Sequence, residues 1–218
     1  MSTPLGEIHR PEAERFRKGR KVYLVPLFLA PPGPPDDLKE RLERYWSGAQ
    51  EHVARLEAAL GPVNRIYHEA IFLPGEEGEK LVEQLNPGAF PLIRARCQAG
   101  AQLEATEDRA LVEESSDWQR CLYVGLISEK ASSIVLQAYL EVINQRYQHI
   151  SSRINDTLQR DESAILVIGD NHRVQFPADI EVFYVAPPAL NDLRRWLDDR
   201  LRRPPQAQSE GEGVQANE

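Results

Sequence analysis

The sequence predicts an α/β protein that contains a small, mostly parallel sheet and a substantial helical insertion. Short apolar runs that end at Gly or Pro indicate buried strands, whereas longer segments with apolar residues at three- and four-residue steps indicate amphipathic helices. Several helices follow one another between the second strand and the third. This order favours strand–helix–strand units in one sheet with an added helical layer.

The chain has 218 residues, which suits one domain of ordinary size. Residues 1–20 are rich in Arg, Lys and Glu and predict a polar N-terminal arm. Residues 21–203 contain the periodic segments and predict a single α/β domain. Residues 204–218 consist mostly of Gln, Ser, Glu, Gly and Asn, which cannot bury a core and therefore predict a disordered tail.

The first half of the domain is punctuated by Pro and Gly. Pro26 lacks a backbone donor, so the first strand is expected at a sheet edge or with a local irregularity there. The next helix shows a continuous apolar stripe from Leu38 to Leu60, and Gly61 ends it. We expect strands at 22–30 and 63–73 and helices at 36–60, 78–85 and 90–99.

The second half begins with Thr106, which is a typical helix N-cap residue. The longest predicted helix follows and carries Arg146 on an otherwise apolar stripe. An uninterrupted apolar run then ends at Gly169, which is typical of a strand that is covered on both faces. We expect helices at 106–123, 132–159 and 189–202 and strands at 164–169 and 180–186.

Composition excludes several classes of function. The net charge of −8 offers no general attraction to nucleic acid. Cys97 and Cys121 form no CxxC pair, no segment is apolar over about 18 residues, and the first ten residues lack the apolar core of a signal peptide. We therefore expect a cytoplasmic protein with no membrane span. The GxGxxG, GxxxxGK[ST] and GxSxG motifs of nucleotide sites and serine hydrolases are also absent.

His172 is the reactive side chain with the most favourable position. It follows Gly169 at the carboxyl end of a predicted buried strand, where open α/β sheets form their sites. A histidine in such a crevice can act as a metal ligand or as an acid or base near neutral pH. The alternative is a loop histidine that its neighbours Asp170 or Asn171 hold in place.

Glu69 and Arg146 form a second candidate pair. His68 and Glu69 are successive strand residues, so their side chains should point to opposite faces of the sheet. A glutamate in an apolar strand and an arginine on an apolar helix stripe both require partners. Glu69 is therefore either a structural partner of Arg146 or a site residue, and both interpretations remain open.

Three segments carry a resemblance to a known family. They are Tyr67-His-Glu69 at a strand end, Asn144-Gln-Arg146 on a long helix, and Gly169-Asp-Asn-His172 after a strand. In this order they resemble the TraB/PrgY family and its Tiki-type and erythromycin-esterase-like relatives, over roughly residues 22–200. The resemblance implies an α/β core with a helical insertion and a pocket at these strand ends, which some members use as metal-dependent proteases.

One family motif is missing from this chain. The first strand of the family ends in its own GxxH, whereas here the corresponding segment is Val25-Pro-Leu-Phe-Leu-Ala-Pro-Pro32. The favoured hypothesis is therefore a degenerate, non-catalytic TraB-like domain that binds an unknown small ligand or protein. The alternative is a metal-dependent hydrolase of the peptidase or esterase type that uses Glu69, Arg146 and His172, with Glu69 and His172 as the metal-ligand candidates. A third hypothesis assigns the helices to a homodimer surface.

Overall fold

The computed structural model describes residues 16–202, so the first 15 residues of the expected arm and the expected tail at 204–218 lie outside the described residues. Its elements follow in this order: β1 (Arg20–Pro26), α1 (Asp36–Leu60), β2 (Val63–His68), α2 (Gly75–Leu85), α3 (Phe90–Gln98), β3 (Gln102–Leu103), α4 (Arg109–Tyr123), α5 (Glu129–Thr157), β4 (Ser163–Ile168), β5 (Ile180–Tyr184) and α6 (Pro188–Arg202).

The five strands form one parallel sheet in the spatial order β3-β2-β4-β1-β5. The predicted α/β class is confirmed, and every pair in the sheet is parallel. All six residues of the central strand β4 are buried, as the uninterrupted apolar run predicts for a strand covered on both faces.

Alternate residues of β4 pack against two different helical layers. Ile165 and Val167 point to the α1 face, which α1, α2, α3 and α6 cover. Ala164, Leu166 and Ile168 point to the α5 face, which the C-terminal half of α5 and the loop after β4 cover. The helices thus lie on both faces of the sheet, as parallel strands joined by crossovers require.

Helices α4 and α5 form a hairpin, and α4 packs mainly against α5. Helix α5 has 29 residues and is therefore about 43 Å long. Its C-terminal half buries Ile150 and Ile154 against the sheet, whereas its N-terminal half buries only Val142. The hairpin is the substantial helical insertion that the sequence predicts.

The sequence predicts that β1 lies at a sheet edge or is locally irregular at Pro26, and the structure contradicts the first of these interpretations. β1 lies between β4 and β5, so the edge interpretation is wrong. Pro26 is the last residue of β1, and pairing with β5 already ends at Leu24. Because the Leu27 N–H donates to Ile168 O on β4, the nitrogen of Pro26 faces the β5 side beyond the last pair. The missing donor therefore interrupts no sheet hydrogen bond.

The start of α4 also differs from the prediction. Asp108 is the N-cap, and its carboxylate accepts the Leu111 N–H at 3.1 Å. The N–H groups of Thr106 and Glu107 both donate to Ile71 O, which holds these residues against the end of β2 and delays the helix. Thr106 instead accepts the His68 N–H through Oγ1 at 3.0 Å. The two-residue strand β3 was not predicted, because a segment that short has no recognisable period.

Candidate functional site at the carboxyl end of the sheet

The order of the strands creates a crevice between β2 and β4. The connection after β2 leads outward to β3, whereas the connection after β4 passes β1 and leads to β5 on the opposite edge. Neighbouring strands whose connections depart in opposite directions leave an opening at their carboxyl ends, where open α/β sheets bind ligands. Glu69 directly follows β2 and Gly169 directly follows β4, so both residues lie at this opening.

The Glu69 side chain lies across the opening. Its backbone N–H donates to Val167 O at 2.9 Å, and its Oε2 accepts the Gly169 N–H at 2.8 Å. A Cβ at position 169 would lie 3.4 Å from Glu69 Oε2, so the absence of a side chain leaves room for the carboxylate. The Glu69 side chain is 20% exposed, and its Oε1 is free of any hydrogen bond with residues 16–202.

Arg146 reaches the same place from α5, but a different carboxylate binds it. Its Nε and Nη2 donate to Glu107 at 3.1 and 2.5 Å, and its Nη1 donates to Ser115 Oγ at 3.3 Å. Its Nη2 lies 3.7 Å from Glu69 Oε1. The Arg146 side chain is 12% exposed and that of Glu107 is 0% exposed. The expected pairing of Glu69 with Arg146 therefore exists, but Glu107 is the principal partner.

Backbone contacts explain how Glu107 reaches Arg146. Ala70 has a φ of 68°, and this left-handed residue turns the chain immediately after Glu69. The Ala70 N–H donates to Glu107 Oε1 at 3.3 Å, and the Glu107 N–H donates to Ile71 O at 3.0 Å. Glu107 is not recognisable as a site residue from the sequence, because an acidic residue after Thr106 is equally typical of the first turn of a helix.

The electrostatics of the crevice follow from its burial. Burial raises the pKa of the Glu69 carboxyl above its ordinary value, and the Gly169 N–H and Arg146 only partly oppose this effect. Burial alone would lower the pKa of Arg146, but its hydrogen bonds with Glu107 raise that pKa overall. Burial likewise raises the pKa of Tyr147 on the same helix. Arg146 is thus a cation that is paired with Glu107, and burial favours the protonated form of the Glu69 carboxyl.

His172 does not join Glu69 and Arg146. Its Nδ1 accepts the Val174 N–H at 3.3 Å, its ring lies edge-on to Phe176, and no hydrogen bond or ion pair connects it to Glu69 or Arg146. Burial lowers the pKa of His172, and Asp170 partly offsets this effect. Glu69 and Arg146 are therefore in contact, whereas the hydrogen bond of the His172 ring holds it within its own loop.

Asp170 holds the other side of that loop. It accepts hydrogen bonds from Arg194 Nη2 at 2.6 Å and from Tyr184 Oη at 2.9 Å. These bonds attach the loop after β4 to β5 and α6. Of Asp170 and Asn171, the two neighbours of His172, Asp170 is therefore the residue that connects this loop to β5 and α6.

His68 points to the opposite face from Glu69, as strand alternation predicts. The ring is fully buried, and its Nδ1 lies 2.6 Å from Glu69 O. Because a carbonyl can only accept, Nδ1 carries the proton and Nε2 accepts from Asn86 Nδ2 at 3.3 Å. Burial lowers the pKa of His68 to about 4, so the ring is neutral near pH 7. Asn86 in turn lies at the turn between α2 and α3.

Beyond Asn86, a cavity of about 840 Å³ opens on the α1 face. Its walls come from the loop after β1, from α1, and from the turn between α2 and α3, and we call it the α1 cavity. Phe28, Leu42 and Trp46 form apolar walls, and Asn86 and Gln50 add amide groups. A Cβ at Gly88 would lie 2.5 Å from Trp46 Cδ1, so this glycine allows the close approach of the turn to the indole.

The resemblance to metal-dependent proteases prompts a test of the metal-ligand candidates. Within residues 16–202, no three His, Cys, Asp or Glu side chains lie close enough to share an ion. Glu69 already accepts a backbone N–H and faces the cationic Arg146, and His172 uses Nδ1 within its own loop. The donor set in the crevice does not fit a divalent metal.

Comparisons of this chain with protein-family models, with curated proteins and with solved structures give no match. In the part of the chain that the structure describes, no helix has both the length and the apolar character that a bilayer span requires.

Proposed function

We propose that this protein is a non-catalytic, TraB-like domain that binds a small ligand in the α1 cavity. The observation that carries the proposal is the cavity itself. A volume of about 840 Å³ with mostly apolar walls and a few amide groups matches the properties of small-molecule sites in proteins. It also lies beside the carboxyl ends of β1 and β2, where parallel sheets bind ligands.

The walls indicate a ligand with a flat apolar body and a polar end. Phe28 and Trp46 offer aromatic surfaces on which such a body can pack. Asn86 is held from behind, because its Nδ2 donates to His68 and its Oδ1 accepts the Ala89 N–H at 3.2 Å. Lys39 lies at the same cavity together with Asp36 and Glu43, so charged groups of both signs are available to the polar end of the ligand.

The crevice between β2 and β4 supports a non-catalytic assignment. A catalytic arginine must direct free N–H groups at the charge that develops on a substrate. In Arg146, three of the five N–H groups already donate to Glu107 and Ser115, and the Glu107 carboxylate compensates the charge of the guanidinium. The cluster of Glu69, Glu107 and Arg146 therefore serves to close the crevice and to hold α5 against the end of β2.

A fluorescent probe with an aromatic body and one sulfonate, 8-anilinonaphthalene-1-sulfonate, tests the proposal. Ser47 and Ala54 are both exposed on α1, but only Ser47 lines the cavity. We expect saturable binding to the wild type and little change in Ala54→Phe. In Ser47→Phe we expect the affinity to fall at least about tenfold, which corresponds to a loss of about 1.4 kcal/mol of binding free energy.

An additional variant separates cavity binding from adsorption on other apolar surfaces. Leu140 is exposed on α5, away from the cavity, so Leu140→Glu should bind the probe as the wild type does. Equal affinity in Ser47→Phe and the wild type would reject the cavity as the binding site. Circular dichroism spectra of the three variants should match that of the wild type.

A second candidate is a hydrolase that uses Glu69, and the raised pKa of this carboxyl in the β2–β4 crevice favours it. In this mechanism Glu69 accepts a proton from water while the water oxygen attacks an acyl carbon, and the oxyanion forms beside Arg146. Collapse of the oxyanion breaks the bond to the leaving group, which takes the proton back from Glu69. His172, which forms no hydrogen bond with either residue, takes no part. Because the donor set does not fit a metal, Glu69 alone would activate the water.

Hydrolysis of p-nitrophenyl acetate distinguishes this candidate from a binding protein. A general base at Glu69 requires a rate above background that Glu69→Gln abolishes and that Glu69→Asp partly restores. The rate should rise with pH through the raised pKa of Glu69, because the ionised form is the active one. Glu113→Gln, which changes an exposed carboxylate on α4, serves as the control. Equal rates in the wild type and Glu69→Gln would eliminate the hydrolase.

We further propose a cytoplasmic protein that forms homo-oligomers and does not bind nucleic acid. Cys97 and Cys121 are both free thiols, which suits a reducing compartment. The net charge of −8 disfavours contact with phosphate backbones. Support for self-association comes from the surface of the α4–α5 hairpin.

A further inference from the structure

Exposed large apolar side chains are concentrated in one part of the molecule. Eleven such residues occur among residues 16–202, and seven of them lie between 123 and 140, at the tip of the α4–α5 hairpin and on the N-terminal half of α5. Ile127, in the connection, is 103% exposed. These seven are Tyr123, Val124, Leu126, Ile127, Ile134, Leu136 and Leu140. Apolar clusters of this kind mark interaction surfaces rather than ordinary solvent-exposed faces.

The exposed residues of α5 continue the stripe that packs on the sheet. Ile150 and Ile154 contact the α5 face of the sheet. At steps of three and four residues toward the N-terminus, the same side of the helix carries Ile143, Leu140 and Leu136. Val142, on the side that faces α4, is buried, whereas Leu136 and Leu140 are each 47% exposed. The sheet-facing stripe thus extends beyond the sheet and requires a second apolar helix to cover it.

We propose that a second copy of this chain covers this stripe, with the two α5 helices antiparallel about a two-fold axis beside Leu136. The two hairpins would then form a four-helix bundle. In this arrangement Leu136 meets its own counterpart, and Leu140 meets Ser132 of the second copy.

Two charged residues of α5 lie at positions that fit a two-fold axis beside Leu136. Lys130 and Glu141 are exposed, eleven residues apart and on one flank of the stripe, because eleven residues complete about three turns. Neither side chain forms an ion pair with another residue of 16–202. A two-fold axis beside Leu136 brings Lys130 of one copy to the level of Glu141 of the other, twice per dimer. The two charged positions thus indicate an axis at the level of Leu136, and their reciprocal pairing is what an isologous interface requires.

Sedimentation velocity of the full chain over a range of concentrations tests the interface. The wild type should be a dimer, and Leu140→Glu should be a monomer with an unchanged circular dichroism spectrum. Leu85→Glu is the matched control, because Leu85 is 49% exposed but lies on α2, and it should remain a dimer. A monomeric wild type, or a dimer that Leu140→Glu does not affect, would overturn the proposal.

Charge reversal tests the axis without altering the apolar core. Lys130→Glu should weaken the dimer roughly fivefold at low salt, because it replaces two attractive pairs by two repulsive ones. Adding Glu141→Lys in the same chain should restore the wild-type affinity, and failure of this rescue would overturn the proposed axis.

Co-sedimentation with vesicles that contain anionic lipid tests whether the surface binds a membrane instead of a second copy of the chain. A wild type that is monomeric in solution and binds vesicles through Leu140 would assign the surface to a membrane instead. The proposal is independent of ligand binding in the α1 cavity.

Discussion

At the scale of single residues, Glu107 determines the chemistry available to Arg146. Its carboxylate is fully buried and accepts two hydrogen bonds from the guanidinium. A buried ion pair contributes little net stability, but the loss of one partner leaves the other charge uncompensated. Glu69 lies farther from Arg146, at 3.7 Å, and cannot replace Glu107 without moving away from the Gly169 N–H.

Glu107→Gln should therefore lower the free energy of unfolding by about 3 kcal/mol, as expected for one removed partner of a buried pair. Urea denaturation measures this change. Glu113→Gln provides the comparison, because Glu113 pairs with Arg109 on the exposed surface of α4 and its loss should cost less than about 0.5 kcal/mol. Similar effects of the two substitutions would mean that the buried pair is not an essential part of the fold.

His68 is the buried residue whose neutrality has a thermodynamic consequence. Its pKa is lowered to about 4 in the folded protein, against 6.5 in the unfolded chain. Between these two values the unfolded state binds the additional proton, so stability rises with pH. The contribution of the neutral His68 ring to the free energy of unfolding is fully present above pH 6.5 and is lost as the pH falls toward 4.

We expect His68 to account for about 3 kcal/mol of stability lost between pH 6.5 and 4. Denaturation of the wild type and of His68→Gln at several pH values measures the difference. The pKa of Glu69 is raised in the folded protein, so its contribution to stability has the opposite pH dependence and is lost as the pH rises. Because Glu69 is present in both proteins, this contribution cancels in the comparison. If the free energy of unfolding depended equally on pH in the two proteins, the His68 ring would be protonated without a cost in stability.

At the scale of elements, the α4–α5 hairpin depends on its own termini more than the other helices do. The two helices pack mainly against each other, so local interactions contribute a larger share of their stability. Asp108 caps α4 with a hydrogen bond of 3.1 Å to the Leu111 N–H. Ser128 caps α5 with a longer bond of 3.4 Å to the Ala131 N–H.

Asp108→Ala should destabilise the protein by about 1 kcal/mol, whereas Ser128→Ala should cost less than half as much, because its hydrogen bond is longer and lies at an exposed terminus. Both values can be obtained from thermal unfolding. A larger effect at Ser128 than at Asp108 would contradict the comparison and would indicate that the tip of the hairpin is held by other contacts.

Elements with a strong local period were predictable. Helix α1 follows its apolar stripe from residue 36 to 60, and β4 was expected within one residue of its observed bounds. The start of α4 was predicted wrongly at Thr106, since contacts with Ile71 and His68 compete with capping. The start of α5 at Glu129 was missed because its exposed first turn carries no apolar stripe.

At the scale of the whole molecule, the strand order β3-β2-β4-β1-β5 divides the protein into regions of unequal stability. The central strand β4 is buried along its whole length and pairs on both sides. The N-terminal half of α5 lies beyond the sheet and has few buried side chains. Regions with few buried apolar contacts open at a lower free energy than the core.

Native-state hydrogen exchange should reveal this division in the Leu140→Glu variant, which we expect to be monomeric. Amides of β4 should exchange only through global unfolding, whereas amides of residues 129–137 should exchange through local opening with much lower protection. In the wild type, protection of residues 129–137 should increase with protein concentration if the hairpins pair. Uniform protection across both regions would contradict this division.

The α/β class, the segments that form most strands and helices, and the need of Glu69 and Arg146 for partners can be read from the sequence alone. These properties depend on the period of apolar residues and on the cost of buried charge, which are readable over a few neighbouring positions. The tertiary structure was needed to show that Glu107 neutralises Arg146, that Glu69 bonds to Gly169, that the His172 ring bonds within its own loop, and that the α1 cavity opens behind His68 and Asn86. The first two contacts join residues that are 39 and 100 positions apart, and strand order, which no local pattern encodes, brings them together.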